Sequence, residues 1–202
     1  MKVLTLLFLA FLIVGCKYDP TPTRTEKSGA PIKAASATQG QDPVAVTKAF
    51  LVWYRDHMTQ LNQIETIRGG IDPNGVPDEG NYHVDFKAVD QYIQLLRSSG
   101  CLSERLLQRE RKTFEEGEKH FAAEPANDGP PYGFEYDHFF MTQEAFEDDL
   151  ADVDAIDFTV LPMGEGHAHV TFYLPLADIR YAYYVRRIDA VWMIDTITRV
   201  DR

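Results

Sequence analysis

The stretch Ala168-His-Val-Thr-Phe-Tyr-Leu174 alternates polar side chains with the apolar Ala168, Val170, Phe172 and Leu174. Successive side chains of a β-strand point to opposite faces of a sheet, so this pattern predicts a strand with one buried face. The same alternation recurs in three neighbouring segments, at residues 156–160, 179–185 and 191–197. The carboxyl-terminal part of the chain is therefore expected to form a sheet of four strands.

Short links separate these four segments, at residues 163–166, 175–178 and 189–190. Links of this length are typical of hairpins, and hairpins join antiparallel neighbours. The four strands are therefore predicted to form an antiparallel meander, in which each strand pairs with the next one along the chain.

The residues before the strands show a helical period instead. Asp42-Pro43 predicts a helix start, because an Asp side chain caps a first turn well and Pro suits the first helical position. Apolar residues from Val46 to Ile64 recur at helical spacing, and they predict a long helix that ends near Ile67. Three further helices are expected, within residues 86–99, 103–124 and 142–150.

Helices first and strands last indicate the α+β class. The N-terminal helices are predicted to pack on one face of a curved four-stranded antiparallel meander. We expect residues 42–202 to form a single globular domain, since this length suits one hydrophobic core.

The first fifteen residues have the composition of an export signal. Lys2 is followed by an apolar run, interrupted only by Thr5, that reaches Val14, and Gly15 then precedes Cys16. The run is shorter than the roughly 20 residues that a membrane-spanning helix needs. Residues 1–15 are therefore predicted to be a signal peptide, and residues 16–41, which are rich in Pro, Thr, Ser, Ala and Gly, a flexible tether.

Ile13-Val14-Gly15-Cys16 resembles the lipobox of bacterial lipoproteins. That resemblance implies cleavage before Cys16, a diacylglyceryl group on its sulfur and an acyl chain such as palmitate on the new amino terminus. Several acyl chains anchor a protein firmly to a bilayer. The alternative is an ordinary secretory signal with a coincidental Cys. Lys17 after the anchor favours the outer membrane, by resemblance to envelope sorting rules, and Cys101 is then not expected to form a disulfide with Cys16.

The chain is strongly acidic, with a formal net charge of −11 at pH 7. This charge disfavours binding to nucleic acid or to an anionic membrane face, because phosphates repel it. The segment 121–179 holds thirteen Asp and Glu and no Lys or Arg. A basic protein partner at this acidic face is one interpretation, and a solvated surface is the other.

Three short motifs accompany this order of elements. They are Phe50-x-x-Trp53-Tyr54, Asp137-x-Phe139-Phe140-x-x-Gln143-Glu144 and Trp192-x-Ile194-Asp195. In these motifs and in element order, the chain is similar to an uncharacterised family of bacterial lipoproteins with a cystatin-like, nuclear-transport-factor-2-like fold. That fold implies a long first helix in the hollow of a bent sheet, and its members include enzymes, carriers and interaction modules. The middle motif departs from the family pattern at His138, where Pro is expected, and this leaves a task for His138 open.

The hollow between the first helix and the sheet is the expected binding site. Its candidate lining residues are Trp53, His57, Tyr181 and Tyr183. His57 lies on the apolar stripe of the first helix, and with an acid such as Asp137 it could act as a general base. The alternative is a core histidine that bonds a backbone carbonyl.

No metal or cofactor site is predicted. His167 and His169 share one face of a strand but lack a third placed ligand for zinc, and residues 72–79 lack the ordered oxygen ligands of a calcium loop. Three hypotheses about function follow. The first is a non-catalytic, lipid-anchored envelope protein that binds a protein or a small apolar ligand. The others are a hydrolase- or isomerase-like enzyme that uses His57, and an immunity protein against a secreted toxin.

Overall fold

A computed structural model of the protein describes residues 42–70 and 80–200. The predicted signal peptide, Cys16, the tether and the whole segment 72–79 lie outside these residues. The helices are α1 (Pro43–Asn62), α2 (Phe86–Ser98) and α3 (Glu104–Ala123), followed by a 3₁₀ helix (Asp149–Ala155). The strands are β1 (Ile67–Arg68), β2 (His83–Val84), β3 (Phe158–Pro162), β4 (His167–Leu174), β5 (Ile179–Ile188) and β6 (Val191–Val200).

The predicted α+β fold is confirmed. Strands β3 to β6 form one antiparallel sheet in sequence order, and Phe172 of β4 stands opposite both Phe158 of β3 and Tyr181 of β5. The β5–β6 hairpin turns through Asp189 and Ala190, both with positive φ, as a two-residue turn between twisted strands requires. Helix α1 packs against β3, β4 and β6, so the apolar face of the sheet is covered.

The predicted helix starts are also correct. The Asp42 side chain accepts a hydrogen bond from the Ala45 N–H at 2.8 Å, and the Ser103 hydroxyl accepts one from the Leu106 N–H at 3.1 Å. Helix α1, however, ends at Asn62, earlier than expected. The apolar spacing continues to Ile67 because Ile67 pairs with Val84 in the small β1–β2 sheet. The apolar spacing beyond Asn62 therefore reflects partly buried side chains and not a continuation of the helix.

The helix expected over residues 142–150 is wrong. Most of that segment is irregular, and the 3₁₀ helix begins only at Asp149. The Asp149 carboxylate is turned inward, where it accepts hydrogen bonds from the backbone N–H groups of Leu176 and Ala177 at 3.0 Å. A side chain that looked like part of an acidic surface thus holds the turn between β4 and β5.

Candidate functional site

A cavity of about 320 Å³ lies between the end of α1, helices α2 and α3, and the segment before the sheet. Its walls mix aromatic, aliphatic and polar side chains. Its lining residues are Tyr54, Leu61, Asn62, Ile64, Glu65, Thr66, Ile67, Tyr92, Phe114, Pro131, Phe134, Tyr136, Asp137 and His138. Its volume is at the lower end of the range for small-molecule sites.

Asp137 holds one wall of the cavity in place. One carboxylate oxygen accepts hydrogen bonds from the backbone N–H groups of Phe139 and Phe140, both at 2.8 Å. The other accepts the Tyr54 hydroxyl at 2.5 Å. Burial raises the pKa of the Asp137 carboxyl, although these three donors favour its ionised form. The pKa of the Tyr54 hydroxyl is also raised, chiefly by burial and next by the charge of Asp137.

His138 forms a buried pair with Glu110 of α3. Its Nδ1 lies 2.5 Å from Glu110 Oε1, and the two side chains are only 16% and 11% exposed. Burial alone would lower the pKa of the imidazole, but the hydrogen bond and charge of Glu110 outweigh it, so the pKa of His138 is raised. Tyr92 also hydrogen bonds to Glu110, and burial followed by the Glu110 charge raises the pKa of the Tyr92 hydroxyl.

Two aromatic rings pack near the His138 imidazole. The rings of Phe114 and Phe134 have their centroids 5.5 and 5.2 Å from it. Phe134 reaches this position because α3 carries Gly117 there, and an added Cβ at Gly117 would come within 2.6 Å of the Phe134 ring. The sequence of α3 thus supplies both the carboxylate partner of His138 and the space for its aromatic wall.

The structure does not bring His57 and Asp137 together. His57 Nδ1 lies 2.8 Å from the Trp53 carbonyl oxygen, and its ring stacks on the Trp53 indole at 4.4 Å. His57 is absent from the lining of the cavity that contains Asp137. The buried stripe of α1 is centred on Phe50, Leu51 and Tyr54, which places Trp53 and His57 at its edge.

The expected hollow between α1 and the sheet is filled by side chains. Tyr181 and Tyr183 are fully buried. The Tyr181 hydroxyl donates to the Phe140 carbonyl oxygen at 2.6 Å, and the Tyr183 ring packs against Phe50 and Phe172. Phe140 belongs to the segment before the sheet, where the residues show no period from which a position could be predicted. The candidate pocket residues of the sheet are therefore core residues in this structure.

The other candidate metal ligands, His167 and His169, each contact a different group. His167 contacts the Glu165 carbonyl oxygen at 2.9 Å, while His169 packs edge-on against Tyr184 on the outer face of β5. Within residues 42–70 and 80–200, no group of three or more His, Cys, Asp and Glu side chains is placed to hold a metal ion. Cys101 is fully buried, and burial raises the pKa of its thiol to about 12.

Sequence reasoning missed Tyr54, Tyr92, Glu110, Phe114 and Phe134 as members of one site. A signal for Glu110 was present. Leu107, Phe114 and Phe121 are buried, and Glu110 lies on the same face of α3, three residues after Leu107 and four before Phe114. A carboxylate at a core position of an amphipathic helix needs a buried partner, and His138 is that partner.

The described residues thus form an α+β protein with a small-molecule-sized cavity between its helices, beside a buried carboxylate–imidazole pair. Comparison with protein-family models, with curated proteins and with solved structures gave no match. Among the residues described, no helix is both long enough and apolar enough to cross a membrane.

Proposed function

We propose that this chain is a lipid-anchored protein of the bacterial cell envelope that binds a small molecule in the cavity between α1, α2 and α3. The observation that carries the binding proposal is the cavity itself, where aromatic walls meet the inward-facing polar groups of Asp137 and His138. Concave sites of this composition are the usual places for small ligands. The proposed binding site thus lies at the carboxyl-terminal end of α1, and not between α1 and the sheet, where the sequence predicts it.

The anchor is proposed from the sequence around Cys16. The apolar run, Gly15 and the position of Cys16 resemble a lipoprotein signal. Expression of the full chain in a bacterium fed labelled palmitate tests it, with fractionation of inner and outer membranes. We expect label in the wild-type protein, recovery in the outer-membrane fraction, and loss of label from Cys16→Ser. An unlabelled wild-type protein would contradict the lipid anchor and would leave the binding proposal unaffected.

The binding proposal is tested with a matched pair of tryptophan variants in α1. Asn62 and Gln60 are both exposed on the last turns of the helix, but only Asn62 lines the cavity. Asn62→Trp places an indole at the cavity mouth, whereas Gln60→Trp places it elsewhere. In a screen of small-molecule fragments against the detergent-extracted full chain, true ligands should lose affinity for Asn62→Trp and keep it for Gln60→Trp. Equal affinities for both variants would exclude the cavity as the site.

The Glu110–His138 pair favours acid–base catalysis as a second candidate function. A carboxylate that orients an imidazole is a frequent arrangement in general-base catalysis. If the protein is an enzyme, His138 takes the role that the sequence suggested for His57. Turnover of generic ester or enolisable ketone substrates that His138→Asn abolishes, and His57→Gln leaves intact, would establish it. Binding without turnover supports the non-catalytic role.

A further inference from the structure

The Glu110 carboxylate fixes the tautomer of His138. An ionised carboxylate only accepts hydrogen bonds, so the 2.5 Å contact with His138 Nδ1 places a proton on that nitrogen. In the neutral ring, which prevails above the raised pKa of His138, Nε2 then carries a lone pair and is an acceptor. Tyr92 also hydrogen bonds to Glu110 and is a second partner of this carboxylate.

The lining residues indicate which edge of the His138 ring meets the cavity. His138 and Tyr92 line the cavity, whereas Glu110 does not, so the edge that faces away from Glu110 is the one that can meet the lumen. Among the described residues, no hydrogen-bond partner occupies Nε2, because the only side-chain bond of His138 is the one to Glu110. A ligand in this cavity therefore meets an acceptor of fixed orientation.

The charges around the cavity narrow the ligand class. Among the described lining residues, Glu65 and Asp137 are acidic and no Lys or Arg offers an anionic ligand a countercharge. Both carboxylates already have partners: Asp137 accepts three hydrogen bonds, and Glu65 pairs with Arg68 at 3.0 Å. A cationic ligand thus finds no unpaired countercharge among the described lining residues. A neutral ligand with a donor group fits best.

We propose that the cavity binds a neutral aromatic or alicyclic alcohol of one or two rings, whose hydroxyl donates to His138 Nε2. The rings of Phe114 and Phe134, beside the imidazole, supply the apolar contact for such a ligand. The volume of about 320 Å³ suits one or two rings. This inference rests on the proposed function, because it assumes that the cavity is a ligand site.

The test compares three probes of one shape on the full chain: 2-naphthol, its methyl ether and 2-naphthoate. All proteins share one detergent, so partition of the probes into micelles is the same throughout. We expect 2-naphthol to bind about tenfold more tightly than the methyl ether, as one well-formed neutral hydrogen bond allows, and 2-naphthoate to bind most weakly. A ratio near one between naphthol and ether, or a preference for naphthoate, would overturn the proposal.

Two variants separate the role of Nε2 from a structural role of His138. An Asn amide lies near the position of Nδ1 and can still donate to Glu110, whereas a Gln amide lies near Nε2. His138→Asn should abolish the preference for naphthol over its ether and keep the ether affinity, while His138→Gln should retain part of the preference. Retention of the full preference in His138→Asn would contradict the assignment of Nε2.

Imidazole ¹⁵N spectra of the wild-type protein give a measurement that needs no variant to fold. At a pH above the raised pKa of His138, the Nε2 resonance should have the position of an unprotonated nitrogen and should move upfield as 2-naphthol is added. An unchanged resonance at saturating naphthol would overturn the proposal. If fragments of another chemistry bind in a manner sensitive to Asn62→Trp while naphthol shows no preference, the proposed function stands and only the ligand class is wrong.

Discussion

Asp137 is subject to two opposing electrostatic effects. Removal from water disfavours the charge of a carboxylate, whereas hydrogen-bond donors stabilise it. Three donors reach this side chain, yet burial has the larger effect and the pKa of Asp137 is raised above its ordinary value of 3.8. A group whose pKa is higher in the folded state stabilises the fold below its unfolded pKa, and that stabilisation is lost as the pH rises through the folded pKa.

Asp137→Asn is therefore expected to gain stability relative to the wild type as the pH rises. The amide keeps an oxygen for the Phe139 and Phe140 N–H groups and carries no charge to bury. Urea unfolding at pH 4 and pH 7 measures the difference in the free energy of unfolding between the two proteins. If that difference moves against Asn between pH 4 and pH 7, the donors outweigh burial and the assigned direction of the pKa shift is wrong.

Gly117 illustrates a conflict between helix propensity and packing. Alanine in a helix is favoured over glycine by about 1 kcal/mol, so Gly117→Ala would ordinarily stabilise α3. Here its Cβ would lie 2.6 Å from the Phe134 ring, and we expect a net loss of about 1 to 3 kcal/mol as the ring is displaced. Chemical denaturation measures it. With Phe134→Ala as the background, the same Gly117→Ala change should become stabilising, and equal effects in both backgrounds would refute the clash.

At the scale of elements, the N-cap residues of the two long helices, α1 and α3, differ in the number of hydrogen bonds that they make. Asp42 is exposed and caps only α1, through the Ala45 N–H. Ser103 is buried, caps α3 and donates to Asp195 Oδ1 at 2.7 Å. Asp42→Ala should cost about 1 kcal/mol, and Ser103→Ala about 2 to 3 kcal/mol, because it also removes a partner from a buried carboxylate. Equal losses in thermal unfolding would show that the bond to Asp195 contributes nothing.

The strands were predictable because each has one face in the core and one outside it. Val170 and Phe172 are buried, whereas His169, Thr171 and Tyr173 on the other face are at least partly exposed, so the period of two reports the sheet directly. Residues 139–146 gave no such signal. Phe140 and Phe146 stack on each other in the core, although both belong to an irregular segment. Irregular backbone has no repeating pattern of buried residues from which their positions could be predicted.

The candidate site was predictable only in part for the same reason. The sequence predicts Asp137 as an acid of the site, but its partner Tyr54 comes from α1, and Glu110, the partner of the neighbouring His138, comes from α3. A helical period shows which residues share a face, but not which other element that face meets. The apolar spacing of α1 includes His57 in its stripe, but the structure buries Tyr54 and leaves Trp53 and His57 partly exposed.

At the scale of the whole molecule, pH acts on the fold in opposite directions on the two sides of neutrality. The hydrogen bond from the Ala88 N–H lowers the pKa of Asp85, which caps α2, so its stabilisation is lost as the pH falls below about 3.8 through the lowered pKa. The raised pKa values of Asp137 and His138 have the opposite consequence. The excess of acidic residues adds repulsion as the pH rises.

Maximal stability is therefore expected on the acidic side of neutrality. His138 has a folded pKa above its ordinary 6.5, so its contribution is complete below pH 6.5 and is lost as the pH rises through the folded value. Thermal unfolding of the full chain between pH 5 and pH 9 should show a falling midpoint above pH 6.5. His138→Asn, which cannot titrate there, should have a shallower slope in that window, and His57→Gln should keep the wild-type slope. Parallel slopes for all three proteins would show that the pH dependence arises outside the Glu110–His138 pair. High salt screens surface repulsion more than buried pairs, so it would then reduce the slope of the unfolding midpoint against pH equally in all three proteins.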